Sequence, residues 1–204
     1  MDAANAHRPS RGDRGAIWLF IIAGAAIVIW TIIGAVLRCV ELLSAGPVEV
    51  HAEFIDTVVD APIGDGGAAV PISLESAVLT VDALPAASVA AGVLGQIALV
   101  VTMATVVACL VLVSHGMLRG EVFSRRNTGL VAVAGITGLV GVAAVRFFGN
   151  MVANGAFAVL GDFDDHAILT VELFPFVIAA FVVAVVTTAF SIGDRLRRDT
   201  TGLV

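Results

Sequence analysis

Apolar and polar positions alternate along this chain in long blocks, with four uncharged apolar runs separated by polar segments. The first run extends from Gly15 to Leu37, the second from Ser88 to Ser114, and the third from Thr128 to Val145 with apolar residues continuing past Arg146 to Leu160. The fourth extends from about Leu173 to Ile192. A helix rises about 1.5 Å per residue and a bilayer core is about 30 Å thick, so roughly 20 residues suffice for one crossing. The runs therefore predict membrane spans at about 15–38, 88–114, 128–149 and 173–192, with the third helix long enough to project beyond the bilayer. A cleaved signal peptide is the rival reading of the first run, but its apolar region is normally about 7–15 residues long. The first run is longer, and Leu43-Ser44-Ala45 is a poor exit site, so we read it as a retained helix.

The segment 40–85 has a different period. Val48-Glu49-Val50-His51-Ala52-Glu53-Phe54 alternates strictly, which predicts a strand with Val48, Val50, Ala52 and Phe54 on one face. Ile63-Gly64-Asp65-Gly66-Gly67 reads as a turn and Ser76–Ala83 as a second β-rich run. A hairpin alone is marginally stable, so this small sheet should rest on helix ends. The predicted fold class is an all-α membrane protein: a four-helix transmembrane bundle with a small β-containing extracytoplasmic loop, forming a single membrane domain over residues 1–204.

Composition agrees with burial in lipid. Of the 204 residues 59% are hydrophobic and only 14% charged, with a mean hydropathy of +1.02; soluble domains carry about 25% charged residues. All eleven basic residues are Arg. Nine of them lie before the first run, between the second and third, or after the fourth, where five acids accompany them. The other side of a four-span chain holds Arg38 and Arg146 against twelve acids. The arginine-rich side is the cytoplasmic one by the positive-inside rule, which places both termini there in a cell membrane. No basic run exceeds two residues, so there is no footprint for direct nucleic-acid binding. Cys39 and Cys109 fall near opposite membrane faces, too far apart for a disulfide.

Small residues mark the helix seams. Ser88, Ala91, Gly95, Ala98, Thr102, Thr105 and Cys109 are spaced alternately three and four apart, and such stripes let helix backbones approach in lipid. Ala134, Thr137, Gly141 and Ala144 repeat the pattern on the third helix, with Gly138 alongside, and Ala180, Ala184, Thr187 and Ser191 on the fourth. The same stripes would line a solute path, but the intramembrane acids and bases that mark such paths are missing.

Chemistry-bearing motifs are sparse. Arg38 and Arg146 sit at outer-interface depth, where they can snorkel or form ion pairs with Glu41 or Glu172. Glu49, His51 and Glu53 share a strand face, and Asp162, Asp164, Asp165 and His166 cluster in the other outer loop; their spacing matches no defined metal motif, and we assign no metal, cofactor or catalytic residue. No nucleophile elbow, phosphate loop or metalloprotease motif is present.

Two further segments carry a resemblance. Gly120-Glu121-Val122-Phe123-Ser124 with Asn127 and a following Gly-rich span resembles the turn between the second and third spans of the bacterial membrane family known as domain of unknown function 2975. Gly193, Leu196, Asp199 and Gly202-Leu203-Val204 resemble that family's C-terminal signature, and the four-span layout is similar over nearly the whole chain. That family has no established activity; its members are often encoded beside small helix-turn-helix regulators, so the resemblance implies a cytoplasmic regulator as partner besides the lipid bilayer, while the missing motifs and cytoplasmic segments too short for a catalytic domain predict a non-enzymatic protein, a sensor or regulatory partner. Gly120, Glu121, Phe123, Ser124, Asn127, Arg195, Arg197 and Arg198 are then the candidate docking residues. By their own chemistry, Phe123 can anchor in the interface, Ser124 or Asn127 can cap the third helix, and the tail arginines favour anionic headgroups. The alternative function is a small-solute transporter or channel subunit, which would work as a homo-oligomer.

The arginine segregation generates a first prediction. In a cysteine-free background, Ser76→Cys and Ser124→Cys should react with an impermeant maleimide from opposite sides of the membrane. Labelling of both in intact cells would refute the four-span orientation.

Overall fold

The computed structural model describes residues 11–44, 46–118, 122–161 and 173–201. Four helices, α1 (Arg11–Leu43), α2 (Ala86–Leu118), α3 (Arg125–Leu160) and α4 (Leu173–Thr201), are joined in chain order with two strands, β1 (Val48–Ala61) and β2 (Val70–Val81), between α1 and α2. All four helices are long and apolar enough to cross a membrane. They exceed the expected spans at one or both ends, because amphipathic or polar turns continue the helices beyond the uncharged runs. α3 is the extreme case, at 36 residues, or about 54 Å. Its end is defined by Gly161, whose φ of 65° and N–H donating to Phe157 O at 3.2 Å make a left-handed cap.

Where composition suggests one membrane domain, the chain gathers into two compact units: Met1–Ala35, Ala98–Ala143 and Leu173–Val204 in the first, Val36–Ile97 and Ala144–Glu172 in the second. α1, α2 and α3 each contribute to both.

The second unit holds the sheet. β1 and β2 form a two-stranded antiparallel hairpin. Both strands are longer than the alternation predicts, since β1 continues past Phe54 to Ala61 and β2 begins at Val70. The cause is a bulge: Glu53 pairs with Ser76 and Thr57 with Leu74, so three β1 residues oppose Glu75 alone. Across this irregularity the inward-facing positions change phase on both strands. Val48, Val50, Ala52 and Phe54 are buried before the bulge; after it Thr57 and Val59 are half-buried and Val58 is exposed. A period-two pattern read along the sequence stops where the phase changes, although the strand does not. The turn is built on Gly66 and Gly67 at φ 69° and 84°, values that only glycine adopts freely. The inward face of β1 joins Leu42, Val81, Ala91 and, from α3, Val152, Ala153, Ala156 and Phe157 in one hydrophobic core. Phe54 meets Phe157 edge to face at 5.5 Å, a geometry worth about 0.5–1.5 kcal/mol beyond burial. This contact supplies what an isolated hairpin lacks.

The helix seams follow the small-residue stripes. Within the second unit, a Cβ on Gly155 would overlap the Ser88 side chain, and one on Gly95 would come within 3.1 Å of Phe148 Cβ. Within the first, a Cβ on Gly141 would overlap Thr102, and one on Gly116 would come within 2.8 Å of the Asn127 amide. On α2 these positions rise by sevens, 88, 95, 102 and 116 with Cys109 between, while their α3 partners fall by sevens, 155, 148, 141 and 127 with Ala134 between. Cys109 and Ala134 are both buried. A seven-residue period in an antiparallel pair is a left-handed coiled seam, here closed by glycine and small side chains. α1 meets α2 through Gly24 beside Val107 and Leu42 beside Gly92, and α3 meets α4 where Gly135 lies under Val183. On α4 the expected face is partly displaced. Ala180, Thr187 and Ser191 are half-buried, but Ala184 is exposed and Val183 takes the contact, because Gly135 offers a hollow that a branched side chain fills better than alanine.

The seam predicts an asymmetry. Gly95→Leu or Gly141→Leu should cost at least the roughly 1–3 kcal/mol of overpacking, read as a lower thermal midpoint in detergent. Val101→Leu, at a position 56% exposed, should change stability by less than about 0.5 kcal/mol. Equal midpoints would show that these glycines do not close a seam.

Candidate functional site

Of the candidate docking residues, Phe123, Ser124 and Asn127 are described at the α2–α3 turn. Ser124 stands at the N-cap of α3: its Oγ accepts from Asn127 N–H at 3.2 Å, and its carbonyl accepts Thr128 N–H at 2.9 Å and Thr128 Oγ1–H at 3.1 Å. This satisfies N–H groups that a helix start leaves open. Asn127 is buried, 2% exposed. Its side-chain amide donates to Val122 O at 3.2 Å and lies against Gly116 in the last turns of α2. One residue thus holds the turn to the helix before it and the helix after it. A larger side chain at 116 would displace it, so Gly116 and Asn127 act as a matched pair.

Phe123 turns towards α4. Its ring meets Phe190 edge to face at 5.6 Å, and a Cβ on Gly193 would fall 2.5 Å from its Cδ1. Phe123 keeps 41% of its surface exposed. The ring thus packs on α4 while part of its surface stays exposed. Asp194, next along α4, is buried at 9% exposure, and Arg195, Arg125 and Arg126 are exposed nearby in sequence. Gly120 and Glu121 lie outside the described residues, as do the side chains of Arg197 and Arg198. The two segments that carry the family resemblance meet through Phe123 and Gly193. The part of Phe190 was not evident in the sequence, where it is one aromatic in an apolar run; its spacing of three from Gly193 was the available signal. Gly116 is one heptad step past Cys109 on the α2 stripe, and that step could have found it.

A second group lies in the other unit. Arg38 Nη1 is 2.5 Å from Glu41 Oε1, and Arg38 Nη2 donates to Glu49 O at 2.5 Å. Glu41 Oε1 also faces Glu49 N–H at 3.5 Å, and Ser44 Oγ donates to Glu41 O at 2.8 Å. The guanidinium fork bridges the last turns of α1 to the start of β1. Arg146 is exposed on α3; Glu172 lies outside the described residues. Glu49, His51 and Glu53 share the exposed face of β1, while Asp162, Asp164, Asp165 and His166 lie outside the described residues. Among the described residues no group of three or more His, Cys, Asp and Glu side chains is placed to hold a metal ion. Both cysteines are free thiols.

Comparison with family models, with curated proteins and with solved structures gives no match to this chain.

The Phe123–Gly193 contact predicts coupling. Gly193→Ala should destabilise the protein alone, and much less in a Phe123→Ala background, with an interaction energy of about 1 kcal/mol or more in a double-mutant cycle. Additive losses in detergent melting would mean that the turn and α4 are not held by this contact.

Proposed function

We propose that this chain is a non-enzymatic, multi-pass protein of the cell membrane that acts as a sensor or regulatory partner. Both termini and the α2–α3 turn lie in the cytoplasm, and the hairpin lies outside. The observation that carries the reading is the seating of Phe123 on Gly193 and Phe190. It joins the two segments through which the chain resembles the family of domain of unknown function 2975. An aromatic side chain that is half exposed, beside exposed arginines, suits recognition of a folded protein surface with acidic and apolar character. The partner proposed is a small cytoplasmic helix-turn-helix regulator, as the resemblance implies.

Structural support comes also from the opposite end of α1. The Arg38 fork ties that helix to β1, and the hairpin core includes α3 residues. A ligand held on the hairpin would therefore act on packed helix ends rather than on a free loop.

A photo-cross-linking amino acid at Arg125 or Arg195 in living cells should yield one discrete adduct with a cytoplasmic protein, identified by mass spectrometry. Arg195→Gln in the Arg125-labelled protein should weaken that adduct at least about fivefold, while thermal stability stays within about 0.5 kcal/mol. Loss of the adduct only in variants that also lower stability would leave the turn as a topology anchor and remove the docking reading.

A further inference from the structure

Three helix hydroxyls return to their own backbone. Thr31 Oγ1 donates to Ile27 O at 2.9 Å, Ser114 Oγ to Leu110 O at 2.9 Å and Thr128 Oγ1 to Ser124 O at 3.1 Å, each four residues back. Thr187 on α4 does not. Its Oγ1 is enclosed and has no hydrogen-bond partner. An enclosed hydroxyl without a partner is unfavourable, and lipid chains offer no acceptor to relieve it.

Thr187 stands at the middle of the seam that α4 makes in the first unit. Val183, which fills the hollow at Gly135, is one turn before it, and Phe190, which meets Phe123, is one turn after it. Val183, Thr187, Phe190 and Asp194 are spaced four, three and four apart, so they form one helix face; the first three are half-buried and Asp194 is buried. A second face lies beside this one. Ala180, Ala184, Thr187 and Ser191 have the same spacing, and Ala184 within it is exposed. At 3.6 residues per turn the two faces point roughly 60° apart, and Thr187 belongs to both. The second is the one that close packing in lipid favours, since small side chains let backbones approach. The first instead sets a branched side chain and a ring against glycines. α4 is also the helix least committed to its neighbours: no residue in its most apolar stretch is buried, against 11% in each of the other three.

We propose that α4 has two seats in the first unit. One rests on Val183 and Phe190, as in this structure. The other is turned by roughly 60° and rests on Ala180, Ala184 and Ser191, with closer backbones that bring a carbonyl acceptor to Thr187 Oγ1. The missing hydrogen bond disfavours the first seat, and the filled hollows at Gly135 and Gly193 offset it. Passage between the seats carries Phe190 and Gly193 past Phe123. The cap at Ser124 and the Asn127 amide hold the α2–α3 turn in both; what differs is the surface under Phe123. The two seats stand on the residues of α4 alone, whereas a part for them in partner docking rests also on the docking reading.

Spin-label distances separate the seats. The full chain is made cysteine-free except for Ile136→Cys on α3 and Thr188→Cys on α4, both exposed positions, and carries a nitroxide at each. A turn of roughly 60° moves a side chain at the helix surface by about 5–6 Å. Ala184→Leu points outward in the first seat and obstructs the second, so it should give a single distance. Val183→Ala empties the Gly135 hollow and should give a main distance displaced from that one by about 3 Å or more. The same distribution in both variants would overturn the proposal. Thr187→Val keeps the shape and removes the hydroxyl. It should raise the melting temperature by at least about 2 °C, because the group it deletes has no partner. An unchanged or lower temperature would show that the hydroxyl is bonded and would also overturn the proposal. Two distances without any adduct from the Arg125 cross-linker would remove the docking reading and keep the seats; an adduct with one common distance would do the reverse.

Discussion

Close approach of helix backbones at seven-residue intervals is the constraint on which the first unit depends. Lipid offers no hydrophobic drive for one apolar helix to leave it for another, so association must come from dispersion contact and satisfied polar groups. Dispersion falls steeply with distance, and only small residues bring two backbones near enough for it to accumulate. Thr102 on Gly141, Val183 on Gly135 and the Asn127 amide on Gly116 are three forms of this contact. Each uses a missing Cβ on one helix to seat a side chain from the other.

The same α2–α3 period continues into the second unit through Gly95 beside Phe148 and Gly155 beneath Ser88, but its purpose changes there. These contacts hold α3 in place as one wall of a hydrophobic core whose other wall is β1. A hairpin of two strands has no second sheet to cover it, and the fully buried positions of β1 all precede the irregularity at Glu53/Thr57. Beyond it the inward positions change phase and are only half-buried, with Leu74 still packed against the core.

Each unit has one corner fixed by polar contacts. In the second the Arg38 fork joins a helix terminus to a strand start. In the first, Ser124, Asn127 and Phe123 fasten the α2–α3 turn to three helices at once, through a cap, a buried amide and a ring on Gly193. Such a turn presents its exposed groups in one arrangement, which is the condition for specific recognition at low entropic cost. The arrangement is also what a purely structural anchor would need, so docking is a proposal about its exposed face and not about its buried one.

The chain's own order determined four apolar spans, the inward face of β1 from Val48 to Phe54, the glycine turn, and the small-residue stripe on α2, because each is a local period of two, three-and-a-half or zero that side-chain type alone sets. The candidate turn was legible as a motif and Ser124 as a cap, since capping depends on residues within one helical turn. Tertiary structure alone decided that Phe123 rests on Phe190 and Gly193, that Asn127 is buried against Gly116, that Val183 displaces Ala184 at the α4 seam, and that β1 survives its break in alternation. These are contacts between segments distant in sequence, and a local pattern carries no record of the partner it meets. The division into two units is of the same kind: α3 reads as one apolar run to Leu160, and only the hairpin lying on its last turns makes part of that run a core.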